Sequence, residues 1–201
     1  MGFTLIESDR ASNIAGPVIA IKNDKVHDLR RFTTLRDSNH IFALIGIVRI
    51  DSKTIGLVNV SMQPVNFRRQ KRQYFALLEQ IKSTMNRYPE ASGWLICGDF
   101  ELDLKEKIGK ELIAQQIGNE LDKEFKSPVG NFPRAITAID IEGNSLFSDA
   151  IFFAGLRPVV GSFSIFPRNG HGLIYHSNPG RNPWYGDYFS NHAIVSMKFY
   201  L

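Results

Sequence analysis

At 201 residues, with 43% apolar and 22% charged side chains, the chain has the size and composition of one globular domain, residues 1–201, and is too apolar to be intrinsically disordered. Its single cysteine, Cys97, excludes an internal disulfide and any multi-cysteine metal site, which fits a reducing, intracellular compartment. No run reaches the ~18 apolar residues of a membrane span, so a soluble chain is expected, and the net charge of +4 suits nucleic acid or another polyanion as partner.

In chain order, the segment after Gly16, Pro17 to Ile21, reads as a strand. Ile41 to Ile50 and Thr54 to Met62 are β-branched runs separated by Asp51-Ser52-Lys53, the pattern of a hairpin. From Asn66 to Arg87 the period changes: Tyr74, Leu77, Leu78, Ile81 and Met85 recur at three- and four-residue steps, which predicts an amphipathic helix. Its first turns carry Arg68, Arg69, Lys71 and Arg72, against the preference of the helix dipole. The basic cluster reads either as a solvated helix face or as a phosphate contact.

Trp94 to Cys97 is a short apolar run of the buried-strand kind, followed at once by Gly98-Asp99-Phe100. A carboxylate at the edge of a core needs a partner or a task. Asp99 therefore reads either as a turn or cap residue or as part of a site. A second helix is predicted over about Leu104 to Phe125, weakened by Gly109 and Gly118. Strands follow near Ala135 to Ile141, Leu146 to Phe153 and Val159 to Phe166, and a last one from Ala193 to Tyr200. Between them Gly170 to Asp187 is a long turn-rich loop holding His171, His176 and Trp184. Many strands joined by short turns, with helices between some of them, predict a layered α/β sandwich rather than a parallel doubly wound sheet.

Three pieces set a polar residue against an apolar run: Gly98-Asp99-Phe100, Phe147-Ser148-Asp149-Ala150-Ile151-Phe152 and Phe189-Ser190-Asn191-His192-Ala193-Ile194-Val195. With Gly56-Leu57-Val58-Asn59-Val60-Ser61 upstream, their order resembles the endonuclease/exonuclease/phosphatase superfamily, the DNase I-like fold. The resemblance implies an α/β sandwich of mixed sheets and hydrolysis of a phosphoric ester with Mg²⁺ or Mn²⁺. It implies Asp99 as the water-activating carboxylate, His192 on the scissile phosphate and Asp149 orienting the His192 ring. The metal positions would be Asp99, Glu101 and Asn191. Glu101 and Asn191 would also contact substrate. Apart from the resemblance, the charge of Arg68, Arg69, Lys71 and Arg72 and the ring of Trp184 offer further contacts to a nucleic acid, or else a solvated helix face and a loop closed against the body.

The sequence also departs from that pattern. Glu101 stands where the family has Asn, Asn191 where it has Asp, and Ser61 where it has His. The family's opening strand–helix–strand unit, with its metal-binding Glu, has no counterpart, so core surface would be left for another protein to cover. Two functional readings follow. In the first, the domain is degenerate and serves as a binding or structural module, within a larger assembly or on nucleic acid. In the second, it is a divergent metal-dependent phosphodiesterase, endonuclease or phosphatase using Asp99, Asp149 and His192.

Overall fold

The computed structural model describes residues 2–7, 17–23, 26–37, 40–62, 67–100, 117–128, 137–139, 145–146, 148–166 and 194–200. Glu101, Trp184, Asn191, His192 and the loop from Gly170 to Asp187 lie outside them. In chain order the elements are β1 (Phe3–Glu7), β2 (Val18–Lys22), β3 (Val26–Asp37), β4 (His40–Ile50), β5 (Lys53–Ser61), α1 (Phe67–Arg87), β6 (Gly93–Asp99), β7 (Ala138–Ile139), β8 (Ser145–Leu146), β9 (Asp149–Ala154), β10 (Arg157–Pro158), β11 (Ser164–Phe166), β12 (Ile194–Ser196) and β13 (Phe199–Tyr200).

Five strands form the main sheet in the order β3-β4-β5-β6-β9. The β4–β5 hairpin turns at Asp51-Ser52, and Asp51 takes a left-handed φ of 52°, which Asp tolerates better than most residues. The pairing of β5 with β6 is parallel, so the chain must cross over between them, and α1 is that crossover. All other pairs in the sheet are antiparallel, as expected for a mixed sheet.

Alternation along the strands divides the core into two faces. On one face Leu77, Leu78 and Ile81 of α1 pack on Val58, Val60, Trp94, Ile96 and Phe152, all buried. The helical turn at residues 117–121 adds Ile117 and Leu121 to this cluster, so part of the predicted second helix is present there. Beyond it Lys126 exchanges backbone hydrogen bonds of 2.8 and 2.9 Å with Phe153 on β9. On the other face Ile21, Val48 and Ile55 form a second cluster with Ile6 and Ile19. The β1–β2 hairpin therefore covers part of the sheet face opposite α1, and it exposes Phe3, Leu5 and Val18.

Two strands were not expected. β3 runs for twelve residues through VHDLRRFTTLRD, whose charges hide the period, and it borders the sheet, where polar side chains are tolerated. β1 precedes the expected strand and pairs with it. Of the strand expected over 159–166 only β11 is present, with β10 just before it, and the one expected over 193–200 is divided into β12 and β13, giving the pairs β10–β13 and β11–β12. Ser162 stitches the interruption: its hydroxyl donates to Val159 O at 2.6 Å and accepts from Lys198 N at 3.0 Å.

Trp94 is 1% exposed and its ring fills the space over Gly56, where an added Cβ would sit 2.3 Å from Trp94 Cε3. Trp94→Ala is expected to cost about 3–5 kcal/mol, measured by urea unfolding.

Candidate functional site

One end of the main sheet gathers the polar residues that the apolar strands carry at their tips. The parallel register sets Ser61 opposite Asp99, and the antiparallel register sets Asp149 opposite Asp99 on the other side. Three strand tips thus form one row, Ser61–Asp99–Asp149, one step beyond the row Asn59–Cys97–Ile151. β4 starts at the same end, where His40 Nε2–H donates to Ser61 O at 2.7 Å. Asp37, the last residue of β3, pairs with His40.

Asp99 is fixed by its neighbours. Gly98 has φ +128°, a value L side chains rarely adopt, and a Cβ there would lie 2.0 Å from Val60 O. Only glycine lets β6 run this close to β5 just before the acid. Asp99 O accepts from Met62 N at 2.9 Å, and Phe100 N donates to Ser148 O at 3.0 Å. Phe100 is fully buried and meets Phe152 edge-on at 5.4 Å, so the chain is anchored immediately after the acid.

Asp149 is held from its backbone. The buried Thr137 hydroxyl accepts from Ser148 N and Asp149 N, each at 3.0 Å, and Ser148 Oγ donates to Asp149 Oδ2 at 3.4 Å. Asp149 also borders a cleft of about 390 Å³ on the sheet face opposite α1, lined by Asn59, Leu95, Cys97, Ile151, Val195 and Phe199 among others. Asn59 Nδ2 donates to Val18 O at 2.8 Å, which ties the β1–β2 hairpin to this part of the sheet. Burial pushes the Cys97 thiol up to about 11, and its Sγ–H donates to Val58 O at 3.5 Å. The cysteine is thus a packed thiol and not a nucleophile at neutral pH.

Of the sequence-named positions, the structure brings Asp99 and Asp149 together, with Ser61 beside them. Glu101, Trp184, Asn191 and His192 lie outside the described residues. The basic residues sit at the start of α1, a short connection after the tip of β5. Arg69 there serves the fold: its Nε–H donates to Asp37 Oδ2 at 2.6 Å, which Gln73 Nε2 also reaches at 2.8 Å. The Arg69 hydrogen bond, with Gln73 and the charge of Arg72 assisting, holds the Asp37 carboxyl below its ordinary range. Thr137, His40 and Asn59 were not singled out from the sequence. Their parts are one or two hydrogen bonds to distant backbone groups, which leave no periodic signal.

Among the described residues no three His, Cys, Asp or Glu side chains are grouped to hold a metal ion. The donors this sheet end offers are the Asp99 and Asp149 carboxylates. These are hard oxygen ligands of the type Mg²⁺ takes one or two of, the rest coming from water and substrate phosphate. The donor chemistry fits such an ion.

No protein-family model and no curated protein matches the chain. Solved structures do. TDP2 of D. rerio, complexed with single-strand DNA product, superposes with a TM-score of 0.66 at 14% identity, over 99% of this chain and 77% of that one. ANGEL2, a 2′,3′-cyclic phosphatase, gives 0.64 at 15% identity, over 98% and 74%. The mannosyl-6-phosphatase of Bacteroides thetaiotaomicron VPI-5482 gives 0.59 at 12%, over 92% and 70%. The chain shares the fold of these structures, the DNase I-like α/β sandwich expected from its motifs.

Two measurements check the supports. Thr137→Val strands two buried amides and is expected to lower stability by about 1–3 kcal/mol in chemical denaturation. Cys97 is expected to resist iodoacetamide at pH 8 in the native protein and to react fully in urea, by intact-mass analysis.

Proposed function

We propose that the protein hydrolyses a phosphoric ester at the row of strand tips, with Asp99 and Asp149 as its working carboxylates. The observation that carries this reading is the register: two acids, contributed by strands fifty residues apart in sequence, are direct cross-strand neighbours at one sheet end. Like charges placed opposite each other destabilise an antiparallel pair by about 0.2–1 kcal/mol. A cation-assisted reaction makes use of such a pairing. Two of the structural neighbours are named as phosphatases, one for a 2′,3′-cyclic phosphate and one for mannosyl-6-phosphate, which supports the same class of chemistry.

In this reading Asp99 and Asp149 hold Mg²⁺ or Mn²⁺, with Glu101 and Asn191 as further ligand positions. When bound, the ion neutralises charge on the phosphoryl oxygens. Asp99 orients the attacking water and accepts its proton, the task a carboxylate performs as general base. Asp149 orients His192 toward the phosphate, since a carboxylate at one ring nitrogen fixes the tautomer at the other. Thr137 is a positioning residue, because it sets the backbone from which the Asp149 side chain departs.

A second reading, a phosphate-binding module without turnover, is favoured by one specific position. Ser61 stands in the row where the resemblance puts a histidine. Losing one preorganised charge-stabilising group costs about 100-fold or more in rate. The two readings separate in one assay.

Bis(p-nitrophenyl) phosphate and p-nitrophenyl phosphate are incubated with the purified chain and Mg²⁺ or Mn²⁺. Metal-dependent release of p-nitrophenol is expected, with Asp99→Asn and Asp149→Asn each slower by about 100-fold and His192→Ala likewise impaired. Rates indistinguishable from those of Asp99→Asn with either metal and either ester would sink the hydrolase reading and leave the binding module.

A further inference from the structure

We propose that the outward face of the first half of α1 is a binding surface for single-stranded nucleic acid, formed by Arg68, Lys71, Arg72 and Phe75. This surface is separate from the row of strand tips, and it stands whether or not that row hydrolyses anything.

The four residues recur at steps of three and four and so share one stripe of the helix. Arg68, Lys71 and Arg72 are exposed, and Phe75 is 37% exposed although it is a large apolar residue on a charged face. The ring is held in place: Tyr74 meets it edge-on with centroids 5.9 Å apart, and Lys71 Nζ lies 5.8 Å from its centroid. An aromatic face flanked by cations is the combination that grips a single strand, with the ring stacking a base and the cations following the backbone.

Arg69 is excluded from this surface by its own chemistry. Its bond to Asp37 at 2.6 Å pins the start of the helix to the end of β3 and fixes the direction of the other three cations. Arg72 faces two ways, since its charge also reaches the Asp37 carboxyl. There is no acid in the first turn, and the first acid along the helix is Glu79. Cations crowded at the positive end of a helix dipole oppose the fold, and a bound polyanion reverses that opposition.

The spacing selects the ligand. From Arg68 to Arg72 the helix rises about 6 Å, so the cations address successive phosphates of a chain better than one isolated group. Phe75 requires an unstacked base, which a duplex does not present. An anionic membrane fits poorly, because the broad apolar face of α1, Leu77, Leu78 and Ile81, is already buried in the core, and among its described large apolar side chains Phe75 is the exposed one.

The test is fluorescence anisotropy with a labelled oligothymidylate in EDTA, so that binding is read without hydrolysis and the two proposals fail independently. Three phosphate contacts are expected to give a log K against log salt slope of about −2, at roughly −0.7 per phosphate. The triple variant Arg68→Gln/Lys71→Gln/Arg72→Gln is expected to flatten that slope. Phe75→Ala is expected to weaken binding about fivefold or more at unchanged slope, and Phe75→Trp to retain it. A duplex of the same length should bind more weakly and ignore Phe75. Circular dichroism establishes that each variant keeps its helix. Absence of binding at low salt, binding untouched by the triple variant, or binding to anionic vesicles but not to the oligonucleotide would each overturn the proposal.

Discussion

The parallel pairing of β5 with β6 sets the position of everything else at the polar end of the molecule. Two parallel strands cannot be joined by a turn, so a crossover has to leave where β5 ends and return where β6 begins. That requirement puts the start of α1 beside Ser61 and fixes Ser61 opposite Asp99. A slip of one residue would send Asn59, Cys97 and Leu95 to the helix face and bring Trp94 and Ile96 to the cleft. The register is held because the helix face is filled: Trp94 occupies the space left by Gly56, and a methyl group there would collide with its ring. A packing constraint near one end of the sheet thereby determines which polar side chains meet at the other.

Once the register is fixed, the acids are placed by backbone geometry more than by side-chain contacts. Gly98 lets β6 come within reach of Val60 O, Phe100 buries the next side chain, and Thr137 takes both amides that precede the Asp149 side chain. These supports are themselves apolar or neutral. The polar network that is charged, Asp37–Arg69–Gln73, lies instead at the junction of β3 with α1, where Gln73 is almost fully buried. Tyr74, next to Gln73 in the chain but outside this network, has its hydroxyl pushed upward by burial, with Glu120 adding to the shift. Such a network fixes orientation, since a buried polar group left without its partner is expensive.

The sequence disclosed the parts of this design that repeat. The three- and four-residue recurrence from Tyr74 to Met85 gave α1, and the β-branched runs gave β4, β5 and β6, because burial on one or both faces imposes a period. The acid that ends β6 was visible as an anomaly against that period, and Asp149 by its place before an apolar run. Border strands carry no such mark. β3 alternates charges with apolar residues irregularly and holds register shifts between Arg30 and Phe32 and again between Leu35 and Arg36, so no two-residue rhythm survives over its length. Thr137, His40 and Asn59 act through one or two hydrogen bonds each to partners between eleven and forty-one positions away. Nothing in the spacing of a sequence encodes a contact of that kind.

The same crossover explains why the basic stripe of α1 and the acidic row of strand tips occur at one end of the fold while remaining distinct. The helix must begin where β5 ends, so its first turns lie at the polar end whatever their side chains are. Its buried stripe is dictated by Leu77, Leu78 and Ile81, which leaves Arg68, Lys71, Arg72 and Phe75 on the side away from the sheet. Arg69 lies between the two directions, and its charge is taken by Asp37. Topology thus brings cations to the same end of the fold as a pair of carboxylates. A strand bound along α1 would lie on the side of the helix away from the sheet, because the opposite stripe is filled by the core.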